Sequence, residues 1–328
     1  MKSSIFVVAF VAASCGTAGE DGPPTGPGRI TNTLTVGPNQ SYTTIQAALN
    51  AATPDATIHV MPATYAERIV ITKPIKLKGT QAVLDGLAGG LDGRFVGIEV
   101  SANNVDITGF IIQNYERGVV AESVANFRFH GNEVRNNTSK DPPPISSGVT
   151  KSDGVVLYTV QNSEIADNFI HDNGSIGLLI GQRIGNPADS SNNVIRRNRF
   201  VNNGTQQGLP GSANFGIGIQ ITFPSDQNEI SDNDVAGSHW GIFIHGDRNA
   251  VRGNRITGNA RAGIMIYGTQ NVVENNQATG NGTANFYPSC RHELMDYREI
   301  DNTWRNNTGV FGSGEPPFVS QFESLYCS

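Results

Sequence analysis

Five side chains of types that catalyse proton transfer stand near the ends of short apolar segments: Tyr158, Arg183, His245, Asp247 and Tyr267. Removal of a proton from the carbon next to a carboxylate needs a cation that neutralises the carboxylate, a base and an acid. We predict Arg183 as the cation and His245 as the base, with Asp247 orienting the imidazole. Tyr158 or Tyr267 is the predicted acid.

A second set of residues is predicted to contact the molecule that carries this carboxylate. These are Glu122, Lys151, Asp153, His171, Gln220 and Phe243. Lys151 is also the alternative to Arg183 as the cation. Structural interpretations stay open, because Lys151 and Asp153 in T-K-S-D-G can shape a turn, and His171 in I-H-D-N-G can do the same. Tyr158 and Tyr267 can equally well be structural residues that cover a sheet under a loop.

The elements that must position these side chains are short repeats, clearest between residues 228 and 282. The segments N-E-I-S-D-N-D-V-A-G, N-A-V-R-G-N-R-I-T-G and N-V-V-E-N-N-Q-A-T-G place Asn233, Asn254 and Asn276 at spacings of 21 and 22 residues. A fixed period of this length indicates stacked units that bury their apolar faces on each other. The recurring asparagine is predicted to form a structural ladder at one corner.

Short strands that begin with glycine follow the asparagine corners, as in G-I-F-I and G-I-M-I. Because side chains alternate along a strand, the isoleucines are predicted to face inward and the residue between them outward. The outward residues stack in columns when the strands are aligned on their first glycines, which are Gly118, Gly154, Gly177, Gly216, Gly241 and Gly263. The predicted first column is Val120, Val156, Leu179, Gly218, Phe243 and Met265, and the predicted second column is Glu122, Tyr158, Gly181, Gln220, His245 and Tyr267.

Glycines at positions 181 and 218 are predicted to make a dent between aromatic side chains of these columns. Flat aromatic faces beside directional polar groups are what a sugar chain needs for binding. The columns therefore predict a sugar-binding groove on one sheet.

The repeats N-x-I-x-x-N-x-V/I-x-G and G-I-x-I resemble those of the right-handed β-helix repeat family, which includes polysaccharide lyases and mannuronan C5-epimerases. The segment from Thr43 to Gly79, with T-I-Q-A-A, V-M-P-A-T-Y-A-E and K-P-I-K-L-K-G, resembles the opening coils of pectin methylesterases without their catalytic segments. The resemblance implies an all-β fold, a single right-handed parallel β-helix. It also implies a polysaccharide partner, with uronate lyase or C5-epimerase chemistry as the first expectation.

Two other functions stay open. A non-catalytic surface lipoprotein would bind glycan through the same groove. A glycoside hydrolase would need two carboxylates that face one groove, for which Asp153, Asp172, Asp226 and Asp247 are available.

The N-terminus has the features of a signal peptide in residues 1–14, with Lys2 ahead of the apolar run from Ile5 to Ala13. The order A-A-S-C resembles a bacterial lipobox, which implies lipidation of Cys15 and a location in the cell envelope or outside the cell. Residues 15–29 are a predicted flexible tether. Residues 30–312 are the predicted β-helix, and residues 313–328 the C-terminal cap or tail.

Both ends of the β-helix are predicted to be closed. Ile45, Ala48, Leu49 and Ala52 have helical spacing, which predicts an amphipathic N-terminal cap helix that starts after Ser41 or Thr43. At the other end Cys290 and Cys327 are a predicted disulfide, with two free thiols as the alternative.

The formal net charge of -6 argues against a nucleic-acid partner. No apolar run is long enough for a membrane-spanning helix, so membrane contact is expected only through a lipid anchor. No C-x-x-C pattern is present, and we predict a monomer with no cofactor and no metal ion. Calcium stays open as an alternative, although the sequence contains no signal for it.

Overall fold

The computed structural model describes residues 32–140, 152–182, 189–204, 216–282, 292–296, 301–309 and 311–313. Within these residues it has an α-helix, α1 (Ile45–Ala51), and a 3-10 helix (Ala88–Gly90). The strands are β1 (Thr33–Val36), β2 (Ala56–Val60), β3 (Thr64–Tyr65), β4 (Ile69–Ile71), β5 (Ile75–Asp85), β6 (Val96–Val100), β7 (Asp106–Gln113), β8 (Arg117–Glu122), β9 (Arg128–His130), β10 (Glu133–Arg135), β11 (Asp153–Tyr158), β12 (Glu164–Ala166), β13 (Phe169–His171), β14 (Ile176–Gly181), β15 (Val194–Arg196), β16 (Arg199–Val201), β17 (Ile217–Ile221), β18 (Glu229–Ser231), β19 (Asp234–Ala236), β20 (Trp240–Ile244), β21 (Ala250–Arg252), β22 (Arg255–Thr257), β23 (Ala262–Ile266), β24 (Val272–Glu274), β25 (Gln277–Thr279), β26 (His292–Asp296), β27 (Thr303–Arg305) and β28 (Phe311–Ser313).

All pairings between these strands are parallel, and each strand pairs with the corresponding strand one coil further along the chain. A ten-stranded sheet has the order β28-β26-β23-β20-β17-β14-β11-β8-β6-β4, and the other strands form an 18-stranded sheet. Within the second sheet, β18 pairs with β21 and β19 with β22, so two series of short strands run side by side. The described residues therefore wind as a parallel β-helix, as the repeats predict.

The interior is filled by one apolar cluster that runs through the coils. Inward residues of the ten-stranded sheet, such as Ile242 and Ile264, are fully buried and join Phe129 and Phe200 from the other walls. Burial of each such side chain contributes roughly 1.5–3 kcal/mol to folding. One short unit cannot gain this alone, so each coil depends on its neighbours.

Asparagine ladders run up the corners. The backbone N–H of Asn233 donates to Oδ1 of Asn254 (2.9 Å), and the Asn233 side-chain amide donates to the same oxygen (3.0 Å) and to the carbonyl of Ile195 (2.9 Å). The ladder continues through Asn276 with the same geometry. The same ladder extends from the backbone N–H of Phe110 through Asn132, Asn168 and Asn198 to Asn233, and from Asn276 to Asn307. The structural role predicted for these asparagines is confirmed.

The N-cap of the N-terminal helix lies one residue after Thr43 and three residues after Ser41, the two predicted caps. Thr44 is the N-cap, and its hydroxyl accepts from the backbone N–H of Ala47 (3.3 Å). Ile45 and Gln46 donate their backbone N–H groups to the carboxylate of Glu67 at 2.8 and 3.0 Å. A carboxylate at this position satisfies free N–H groups and favours the helix dipole. Ile45, Ala48 and Leu49 are buried in the interior cluster.

No helix among the described residues has the length and apolar character needed to cross a membrane.

Candidate functional site

The outward columns of the ten-stranded sheet follow the prediction except at β17. Leu179 pairs with Gln220, and Gln220 pairs with Phe243. Gln220 therefore lies in the first outward column, and the predicted placement of Gly218 there is wrong. The segment G-I-G-I-Q-I fits the repeat in two frames that differ by two residues, and such a shift keeps every side chain on its own face.

Most of the first outward column is apolar and buried, although Val120 and Gln220 have intermediate exposure. Val156, Phe243 and Met265 are 0%, 4% and 1% exposed, although they point away from the interior of the β-helix. They form a second apolar cluster with Leu179 and Trp240, separate from the interior cluster. The predicted open groove does not run over this column.

The predicted dent at Gly181 is filled. Thr222 lies opposite Gly181, because Ile180 pairs with Ile221 one residue earlier. A side-chain carbon added at Gly181 would lie 2.1 Å from the Thr222 hydroxyl oxygen. This hydroxyl therefore replaces the dent, and Thr222 takes the place predicted for Gln220 in the second column.

The second outward column is the partly accessible one. In order along the stack it contains Glu122, Tyr158, Gly181, Thr222, His245 and Tyr267. Except for the buried Gly181, its members have intermediate exposure. A ligand on this sheet therefore meets the second column.

His245 and Tyr267 come together on adjacent coils. Their ring centroids are 4.8 Å apart with an interplanar angle of 55°. The Phe243 ring contacts both edge-on, at 4.4 Å from His245 and 5.4 Å from Tyr267. The backbone N–H of Tyr267 donates to the carbonyl of Ile244 (2.7 Å), so the sheet hydrogen bonding extends to both residues. A base and an acid candidate are thus held side by side on a rigid element.

Tyr158 lies elsewhere in the same column. Gly181 and Thr222 occupy the two intervening coils, so Tyr158 is about 14 Å from His245 at the usual strand spacing. Glu122 pairs with Tyr158 from the preceding coil. Glu122 and Tyr158 are therefore not neighbours of His245.

Asp247 belongs to a turn. Its Oδ1 accepts from the backbone N–H of Thr269 (2.7 Å) and from the Thr269 hydroxyl (3.2 Å). Asp226 repeats the pattern one coil earlier, since its Oδ1 accepts from the backbone N–H of Asp247 (2.8 Å), while Oδ2 pairs with Arg248. These carboxylates join successive turns to each other.

Asp153 and His171 are placed away from His245. The Asp153 side chain is fully buried, pairs with Arg117 (3.3 Å) and accepts from the backbone N–H of Ile176. His171 lies in the 18-stranded sheet, with Nδ1 2.6 Å from Asp172 and Nε2 3.2 Å from Glu133. The structure therefore does not bring either residue to the second column.

Several predicted residues lie outside the described ranges. These are the two candidate cations Lys151 and Arg183, and the cysteines Cys15, Cys290 and Cys327.

Three residues near the start of the same strands were not predicted from the sequence. The guanidinium carbon of Arg261 lies 5.5 Å from the centre of the Trp240 ring, and the His239 ring meets Trp240 edge-on at 5.0 Å. Burial, with a smaller effect of the Arg261 charge, lowers the pKa of His239 to about 4. Trp240 also stacks on Phe243 at 5.7 Å. These residues stand one or two positions before the strand glycines Gly241 and Gly263, outside the predicted columns.

The family model described as "Right handed beta helix region" matches residues 92–282 and 212–314, which together exceed half of the chain. The chain belongs to the right-handed β-helix family.

This right-handed β-helix is similar to several solved structures at low identity. An alginate lyase from Paenibacillus sp. str. FPU-7 has 14% identity and a TM-score of 0.50, with 86% of this chain and 99% of the lyase covered. XylC in complex with xylose has 10% identity and a TM-score of 0.59, with 84% and 69% covered. The periplasmic alginate epimerase AlgG has 12% identity and a TM-score of 0.55, with 78% and 61% covered. At these identities the likeness shows the fold alone. No curated protein matches this chain.

In the described part of this β-helix, no group of three or more His, Cys, Asp or Glu side chains is arranged to hold a metal ion.

Proposed function

We propose that this protein acts on an acidic polysaccharide by removing the C5 proton of a uronate residue, with His245 as the base and Tyr267 as the acid. The observation that supports this is the 4.8 Å separation of the two rings on adjacent coils. Adjacent coils are about 4.8 Å apart, which places both side chains beside one sugar residue.

The chemistry follows from these two side chains and a cation. The imidazole takes the C5 proton, and the electron pair of the C–H bond moves toward the carboxylate. In elimination the pair then expels the oxygen at C4, which receives the phenol proton of Tyr267. Epimerisation needs a proton returned to C5 on the opposite face, and because His245 and Tyr267 lie side by side, water would supply that proton. General acid–base catalysis of this kind typically contributes 10²–10⁴-fold to the rate.

Arg183 is the proposed cation, with Lys151 as the alternative. Arginine is suited to the role because its planar fork matches a carboxylate. Gln220 and Phe243 lie in the first column, beside the column that holds His245 and Tyr267, and are proposed to shape the site. Glu122 and Tyr158 are proposed to contact sugar residues further along the polysaccharide.

The polymer is proposed to lie along the stack of coils. The second column is partly accessible over most of its length, whereas Val156, Leu179, Phe243 and Met265 of the first column are buried beside it. An alginate lyase and an alginate epimerase share this fold, and alginate is an acidic polysaccharide. XylC with bound xylose shows that a member of the fold also holds a neutral sugar.

The site is proposed to work outside the cytoplasm. Residues 1–14 are the proposed signal peptide, Cys15 the lipidated residue, and Cys290 with Cys327 the disulfide of the C-terminal end. Helix α1 is the proposed N-terminal cap. Mass spectrometry of the protein from a bacterial membrane fraction tests the signal peptide, the lipidation and the disulfide, since it detects the processed N-terminus, the lipid and the cystine.

The enzymatic proposal is tested with alginate, pectate and glycosaminoglycans. Elimination produces the absorbance of an unsaturated uronide, and epimerisation changes the uronate stereochemistry seen by proton NMR. His245→Asn and Tyr267→Phe are expected to lower either activity by at least about 100-fold. His59→Gln is the matched control, because His59 is exposed on β2 in the other sheet.

The results separate the candidate functions. Absence of both signals with every acidic glycan, while binding is measurable by calorimetry, favours the non-catalytic glycan-binding protein. Absence of reaction and binding refutes the proposed site. Glycoside hydrolysis receives no support from the geometry, because Asp153 is buried against Arg117 and the Asp226 and Asp247 carboxylates hold turns.

A further inference from the structure

A second cluster with the chemistry of a ligand site lies at the opposite end of β20 from His245. It consists of His239, Trp240 and Arg261. Both polar side chains contact the Trp240 ring, Arg261 at 5.5 Å and His239 at 5.0 Å. The backbone N–H of Arg261 also donates to the carbonyl of His239 (2.8 Å). The imidazole and the guanidinium are thus held next to each other on adjacent coils.

The His239 imidazole has hydrogen-bonding capacity that the fold does not use. Its Nε2 is buried and has no hydrogen-bond partner. A buried polar atom without a partner is costly, so such an atom in a native protein calls for an explanation. Burial and the Arg261 charge keep the ring neutral near pH 7, since its pKa is about 4. In the tautomer protonated at Nε2, this atom is a hydrogen-bond donor.

We propose that Arg261 and His239 bind the carboxylate group of an acidic sugar, at a site distinct from His245 and Tyr267. Both side chains supply donors, and a carboxylate supplies two acceptor oxygens. Arginine binds carboxylates through two parallel hydrogen bonds, which are stronger than neutral ones. The negative charge also lies favourably beside the guanidinium. Trp240 is only 4% exposed, so it positions Arg261 and does not stack on the sugar.

The site is separated from the second column. Six residues lead from His239 to His245, which corresponds to about 20 Å of extended strand. Trp240 and Phe243 between them are each 4% exposed, so a ligand does not cross directly over the strand. The carboxylate therefore comes from a distant residue of a polymer or from a separate acidic sugar.

The probes are D-galacturonate, its methyl ester and tetragalacturonate. Histidine side-chain nitrogen signals are followed by NMR in the full-length protein, with His239→Gln assigning the His239 signal. Galacturonate is expected to shift this signal and the ester is not, because esterification removes the charge. Arg261→Met is expected to weaken galacturonate binding by at least about tenfold, the effect of a lost charged hydrogen bond. Arg255→Met, on the other sheet, is the matched control.

Tetragalacturonate identifies the source of the carboxylate. Affinity at least about tenfold above that of the monomer, with the same dependence on Arg261, indicates a polymer. Equal affinity indicates a separate acidic sugar, and both results support the site. The proposal is overturned if neither acid shifts the His239 signal, if the ester acts equally, or if Arg261→Met binds as the wild type does.

A folding defect in Arg261→Met is detected by thermal unfolding. In that case Arg261→Lys keeps the charge and removes the fork, and unchanged affinity in this variant also overturns the proposal. Because binding is read at His239, the result does not depend on whether His245 and Tyr267 catalyse a reaction.

Discussion

Gly181 lies opposite Thr222 on the next coil, and a side-chain carbon added at position 181 would come within 2.1 Å of the Thr222 hydroxyl oxygen. The hydroxyl occupies the space that the glycine leaves. Gly181→Ala is therefore expected to lower the free energy of unfolding by about 1–3 kcal/mol, the usual cost of overpacking. Chemical denaturation of the variant and the wild type measures the difference.

Thr222→Ala is the control for this contact, because it removes the oxygen that the new methyl group would meet. The double variant Gly181→Ala/Thr222→Ala is expected to recover most of the stability lost in the single variant at position 181. A double variant that is no more stable than Gly181→Ala would contradict the steric explanation.

The coil architecture could be predicted because the same residue pattern recurs in successive coils. Asn233, Asn254 and Asn276 stand at equivalent corners, and their identity fixes both the period and the ladder. The frame of β17 could not be fixed, since Gly216 and Gly218 both precede an isoleucine. Alternation has a period of two, so it does not distinguish frames that differ by two residues.

The candidate site was predictable only in part, because burial of an outward residue depends on chain far away in sequence. Phe243 and Met265 point away from the interior and are nevertheless buried. The pair His245 and Tyr267 followed from the column alignment. His239 did not, because its significance depends on a buried nitrogen atom and a charge on the next coil.

Ser238 interrupts an asparagine ladder. Its backbone N–H donates to Oδ1 of Asn259 (3.0 Å), as the asparagines of other coils do, but its buried hydroxyl has no hydrogen-bond partner. The strand glycines Gly177 and Gly241 lie against the side-chain amides of Asn203 and Asn259, whereas Gly218 lies against Val235. Ser238→Asn is expected to complete the ladder and raise the free energy of unfolding by about 1 kcal/mol.

Urea denaturation measures this gain. Asn259→Ser is the reverse change in the next coil. It is expected to cost about 1–3 kcal/mol, because the Ser238 N–H loses its acceptor and the Val235 carbonyl and Asn281 Oδ1 lose a donor. If Ser238→Asn is destabilising while Asn259→Ser is nearly neutral, the amides of this ladder do not stabilise the fold.

His239 should make stability depend on pH. Its pKa falls from the ordinary 6.5 to about 4 in the folded protein, first because of burial and then because of the Arg261 charge. Between these values the unfolded chain binds a proton that the folded chain does not, so stability is lost as the pH falls from 6.5 toward 4. The contribution is about 3 kcal/mol at most.

His239→Gln is expected to flatten this part of the stability profile, measured by denaturation at a series of pH values. His59→Gln removes an exposed histidine and should leave the slope of the wild type. Equal slopes in the wild type and His239→Gln would show that the His239 pKa is not depressed by the fold.

Tyr158 gives a length-dependent prediction for the proposed polysaccharide site. It stands three coils from His245, about 14 Å along the stack, so a ligand bound at His245 reaches it only when several sugar residues are joined. Tyr158→Ala is expected to weaken binding of uronate hexamers by about 2–10-fold, the usual range for an aromatic contact, and to leave dimers unaffected. Tyr267→Ala is expected to weaken both, because Tyr267 lies beside His245. Calorimetry with the two lengths separates these effects, and equal weakening of dimers and hexamers by Tyr158→Ala would mean that the ligand does not lie along the second column.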